Sequence, residues 1–140
     1  MELKPIFSVI TFLVFIVLSI IHIYWFFGGK WAASSAIPKL ESSGAPLFSP
    51  GLTATAIVAL GLLFFGLISL CLGGIIGFDH EWLTYAGMGV ATIFGLRAIG
   101  DFKYVGFFKR VRNTDFGRLD TRFYSPLCLL LSVMLIYLSL

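Results

Sequence analysis

Two stretches hold most of the residue types capable of chemistry. The first closes an apolar run and reads His22-Ile23-Tyr24-Trp25, then Gly28-Gly29-Lys30-Trp31. His22 is the only readily ionisable residue well inside an apolar span. Such a residue tends to face a bundle interior and mark a pathway or a site, although a neutral imidazole is also cheap to bury as a plain packing group. His22 and Trp25, three apart, share a helix face. The second stretch, Arg97 to Pro126, reads RAIGDFKYVGFFKRVRNTDFGRLDTRFYSP and mixes seven basic residues with Asp101, Asp115 and Asp120.

Together these define a candidate ligand site: His22, Trp25, Lys30, Arg97 and Asp101, with Asp115 and Asp120 as further members. In an enzyme, His22 or an aspartate would be the acid or base and Arg97 the anion clamp. No nucleophile elbow, P-loop, His-Glu-x-x-His or dinucleotide fingerprint fixes a reaction, and no cofactor is implied. Tyr104, Phe107, Phe108 and Val111 follow an i, i+3, i+4, i+7 pattern, with the charges mostly off that stripe. The spacing predicts an amphipathic helix along the membrane surface or continuing the third span. Lys103, Lys109, Arg110 and Arg112 are then expected at lipid headgroups. Arg97 and Asp101, spaced i, i+4, are expected to pair if Gly100 does not interrupt the helix.

The elements that must position these residues are apolar. Of 140 residues, 59% are hydrophobic and 12% charged. A soluble domain carries about twice that charged fraction, so the bilayer must solvate much of the surface. The expectation is an all-α integral membrane bundle of four transmembrane helices, a single domain over 1–140, with spans at about 5–27, 52–77, 82–99 and 125–140. The first apolar run is longer than a signal-peptide core of about 7–15 residues and reads as a retained helix. Ser125 and Pro126 are the expected N-cap and first turn of span four. Ser69, Gly73 and Gly77 in span two, and Gly87, Ala91 and Gly95 in span three, form small-residue stripes expected to face each other. Cys71 and Cys128 lie in apolar runs without a Cys-x-x-Cys, which excludes a thiol–disulfide motif and gives no metal site.

With four spans, the loops 28–51 and 100–124 share a side. Together with Arg97 they hold nine of the ten Lys and Arg residues, leaving Lys4 on the other. The positive-inside rule places both loops in the cytoplasm and both termini outside. Basic residues between apolar spans point to membrane lipids as partners rather than nucleic acid.

The pairing of HIYWFFGGKW with RAIGDFKYVGFFKRVRNTDFGRLDTRFYSPLC resembles small bacterial membrane proteins of the domain-of-unknown-function family numbered 3995. The resemblance spans nearly the whole chain. It implies a four-helix membrane protein and carries no catalytic role. The leading functional expectation is a protein that binds a lipid or small amphipathic ligand at the cytoplasmic mouth of the bundle. A membrane enzyme acting on a lipid or isoprenoid-like substrate is the first alternative. The second is a transporter or channel subunit; a four-helix monomer encloses little pathway, so this reading calls for a homo-oligomer.

Overall fold

The computed structural model describes residues 2–140. Four helices organise it: α1 (Leu3–Phe26), α2 (Leu52–Leu72), α3 (Trp82–Ile99) and α4 (Asp115–Ser139). Each is long and apolar enough to cross a bilayer. No strand occurs among the described residues, and an isolated bridge between Lys39 and Pro46 pins the loop after α1. The chain is a transmembrane four-helix bundle, as its composition requires.

Close packing runs within two sequential hairpins rather than between α2 and α3. α1 buries Ser8, Thr11, Phe15 and Ser19, a stripe at helical spacing. Ser19 donates its hydroxyl to the Ala59 carbonyl at 2.7 Å, and Ser69 donates to the Ser8 carbonyl at 3.3 Å. A Cβ on Gly73 would overlap the Ser8 side chain. The small stripe of α2 therefore meets α1. Gly77 lies beyond the end of α2 and meets nothing. The stripe of α3 meets α4: Ser132 donates to the Ala91 carbonyl at 2.7 Å, and a Cβ on Gly87 would overlap Ser139 and crowd Leu72. Serine opposite glycine lets two backbones approach while the hydroxyl finds a carbonyl, each such bond being worth about 0.6 kcal/mol in a membrane protein.

Each hairpin packs more closely within itself than against the other. Their shared core holds Phe15, Leu62, Val90, Leu131 and Leu135, with Phe65 and Phe94 packed against it. The Phe15 ring centroid lies 5.4 Å from that of Phe94 and 6.0 Å from that of Phe65.

Two expectations change in the second half of the chain. The fourth span starts about ten residues before Ser125. Thr114 is its N-cap, accepting from the Gly117 N–H at 3.0 Å. Ser125 is buried inside the helix. Pro126 is accommodated because Asp120–Tyr124 forms a π-helical turn, in which the Ser125 N–H reaches the Asp120 carbonyl five residues back. Proline offers no N–H and crowds the carbonyl four residues before it, and one extra residue in the preceding turn relieves this.

Residues 100–114 form a compact loop, not an amphipathic helix. Gly100 (φ 85°) ends α3 and Gly106 (φ 90°) turns the chain back. A Cβ on either would strike the backbone of the other, so only glycine permits this crossing. The Asp101 carboxylate accepts from the N–H groups of Lys103, Tyr104 and Val105 at 2.8–3.0 Å. That local capping displaces the helical alternative.

Gly87→Leu is expected to destabilise the α3–α4 contact by about 1–3 kcal/mol through overpacking. Gly89→Leu, where an added Cβ meets nothing, is the control and should leave thermal unfolding in detergent unchanged. Equal midpoints for the two variants would refute close packing at Gly87.

Candidate functional site

The site forms where the loop-proximal ends of the two hairpins meet. Its central group is the Asp120 carboxylate, wholly buried at the start of the π turn. Oδ1 accepts from Arg97 Nη2 at 2.7 Å. Oδ2 accepts from the Gly106 N–H at 2.7 Å and lies 3.1 Å from Lys109 Nζ. Lys109 is 1% exposed and also donates to the Gly106 carbonyl at 3.0 Å and to the Thr121 hydroxyl. A buried carboxylate is tolerable only when its lone pairs are filled in this way. Two cations share one anion, so the trio keeps one positive charge in excess.

Arg97 is the outward member. Its side chain is 31% exposed, against 0% for Asp120 and Lys109. Its guanidinium carbon lies 6.0 Å from the Phe116 ring centroid. Nη1 is buried and has no hydrogen-bond partner.

Arg97 borders a cavity of about 550 Å³ that both hairpins line. His22, Trp25, Phe116 and Tyr124 line it beside Arg97, and Ile57, Val58, Gly61, Phe65 and Phe94 make much of its apolar wall. Ile57 and Ile93 border the cavity and are exposed on the bundle surface, so it opens sideways between α2 and α3. His22 Nδ1 lies 2.7 Å from the Leu18 carbonyl. A carbonyl only accepts, so Nδ1 carries the proton and Nε2 is left for another partner. The His22 ring meets Trp25 edge-on at 4.9 Å, and Trp25 donates to the Trp31 carbonyl at 2.8 Å. A neighbouring cavity of about 490 Å³ under the loop 28–51 shares His22 and Trp25 as a wall.

The structure thus brings His22, Trp25 and Arg97 together and sets Asp120 directly behind Arg97. It does not bring the others in. Lys30 is exposed and lines neither cavity. Asp101 does not pair with Arg97, because Gly100 ends the helix between them and its carboxylate caps the loop. Partial burial raises the Asp101 carboxyl, but the three backbone N–H groups outweigh it and hold it below the ordinary aspartate value of 3.8. Asp115 is exposed and pairs with Arg118 at 3.0 Å and Lys39 at 3.7 Å. Lys109, expected at the headgroups, is instead an internal partner of Asp120. Lys103, Arg110 and Arg112 are exposed on the same loop. Tyr124 and Phe116, unanticipated as site residues, sit within the polar motif, yet only the helical register of α4 turns them toward α1.

The family model for DUF3995, a protein of unknown function, matches residues 15–135 of the chain. The chain belongs to this family. Neither a curated protein nor a solved structure matches it.

Asp120→Asn should leave Arg97 and Lys109 without a counterion and destabilise the protein by about 3–5 kcal/mol. Lys109→Met keeps the Arg97–Asp120 pair and should cost less. Denaturant unfolding in a mild detergent compares them; equal losses would mean that Asp120 does not hold the cluster.

Proposed function

We propose that this member of the DUF3995 family binds a lipid or small amphipathic ligand at the cytoplasmic mouth of its helix bundle. The observation that carries the reading is the 550 Å³ cavity, with apolar walls from α2 and α3 and a polar end made by His22, Arg97 and Tyr124. Its size lies within the usual range of about 300–1,000 Å³ for small-molecule sites, and a few convergent polar groups on apolar walls is their usual composition. The lateral opening beside Ile57 and Ile93 gives a bilayer-borne molecule an entry route without leaving the hydrocarbon.

The polar loops supply the orientation. Loop 28–51 and α4 are tied together by Lys39–Asp115 and by Tyr124, which donates to the Ser35 carbonyl at 3.3 Å. They share one membrane face with the loop 100–114, and this face concentrates the basic residues, which supports a cytoplasmic assignment. Exposed Phe102 and Phe108 beside Lys103, Arg110 and Arg112 suit an interface, with rings at the acyl boundary and cations at the headgroups.

Gly61 gives a clean test, because it lines the cavity and an added side chain there meets no neighbour. Lipid-resolved mass spectrometry of the purified protein should find one retained amphiphile, lost in Gly61→Leu, while the unfolding midpoints of the two delipidated proteins agree. Only bulk lipid, identical in both proteins, would refute the site. Separately, single cysteines introduced at Ser43 and Asn113 in a background lacking Cys71 and Cys128 should both be labelled from the cytoplasmic side. Labelling from opposite sides would overturn the orientation.

A further inference from the structure

We infer that the ligand of this cavity is an anionic amphiphile, whose carboxylate or phosphate is taken by Arg97 while its apolar chain lies along α2 and α3. The inference rests on the ligand-binding reading above and deepens it by naming the head group's chemistry.

Two observations converge on the sign of the charge. Among the residues lining the cavity there is no aspartate or glutamate, and Arg97 is the one formally charged group. Its counterion does not neutralise the site, because Asp120 is shared with the buried Lys109 and both its oxygens are occupied. The Arg97 side chain is 31% exposed, so part of it stays open to a ligand. An anionic oxygen is the strongest acceptor that a guanidinium N–H can take. The carboxylates nearest in sequence are committed elsewhere: Asp101 to its own loop, Asp115 to Arg118 and Lys39.

The remaining walls suit the rest of such a molecule. Tyr124 sits at the same end as Arg97 and His22, while Ile57, Gly61, Phe65 and Ile93 present an apolar path to the lateral opening. A positive group placed at the polar end of an apolar groove orients an amphiphile head-first. A cationic head would meet an unshielded positive cluster instead.

The test uses the full chain in neutral phosphatidylcholine nanodiscs and three probes with the same tail: dodecyl phosphate, dodecanoate and dodecanol. Binding is followed by tryptophan fluorescence, and inorganic phosphate is tested as a competitor. Both anionic probes should bind at least about tenfold more tightly than dodecanol, the effect of one charge-assisted hydrogen bond. R97Q should abolish that preference. Should R97Q fail to fold, K109M serves. Lys109 does not line the cavity, so a merely structural role would shift all three probes alike, whereas loss of the excess charge narrows only the gap between anionic and neutral probes. G61L should abolish binding of all three. Equal affinity for the three probes overturns the anion inference and leaves ligand binding standing. Binding of none of them removes both readings. Efficient displacement of dodecyl phosphate by inorganic phosphate overturns the amphiphile assignment and makes the site one for the free anion.

Discussion

The half of the structure that carries polar groups depends on one buried carboxylate. Asp120 joins three pieces of chain that are far apart in sequence or differently built: the end of α3 through Arg97, the loop 100–114 through Gly106 and Lys109, and α4 itself. Each partner needs the others. Without Lys109 and the Gly106 N–H, one oxygen of a desolvated carboxylate would be empty. Without Asp120, two cations would face each other in the interior. The Gly106 peptide is held from both sides, its N–H by Asp120 and its carbonyl by Lys109. This explains how a glycine-hinged loop with no regular structure keeps one conformation.

That arrangement also governs what could be read in advance. Hydropathy and aromatic belts located the first three helices, the second read on to Gly77 although it ends at Leu72, because each is a charge-poor run closed by glycine or polar residues. The fourth was truncated because Asp115, Arg118, Asp120 and Arg122 lower its apolar signal while Ser125-Pro126 imitates a helix start. Only the tertiary pairing of Asp120 makes that charged turn affordable inside a helix. The stripe from Tyr104 to Val111 has helical spacing, but Gly100, Gly106 and the Asp101 cap outweigh it. Lys109 reads as a surface charge because its partner is eleven residues away, outside any local periodicity; Arg97 is 23 residues from the same partner. His22, Trp25 and Arg97 were legible as a group because topology alone brings the end of span one to the mouth of span three.

Small residues were legible as packing stripes, but not their partners. A Gly-x-x-x-Gly pattern states that something approaches closely and does not state what. The serine hydroxyls decide it: Ser8 stands opposite Gly73, Ser132 opposite Gly95 and Ser139 opposite Gly87. Each glycine faces the helix whose serine fits it, which closes the chain into two sequential hairpins. Bulky Phe15, Phe65 and Phe94 meet where the hairpins join. Aromatic rings cannot bring backbones as close as serine and glycine do, so the hairpin–hairpin seam is the looser one, and the cavity opens along it.

A site on this seam has a thermodynamic consequence. His22, Trp25, Val58 and Phe65 come from the first hairpin, and Phe94, Arg97, Phe116 and Tyr124 from the second. Neither hairpin holds the cavity by itself, so the proposed ligand would bind the assembled bundle and not the separated halves. Such binding would strengthen the weaker of the two classes of helix contact by mass action, in proportion to the logarithm of ligand concentration at saturating levels. The polar end of the cavity is fixed by the Asp120 cluster within the second hairpin, whereas its apolar wall is divided between both. Occupancy by the proposed ligand would therefore act chiefly on the hairpin seam and little on the cluster that positions Arg97, which is in place without it.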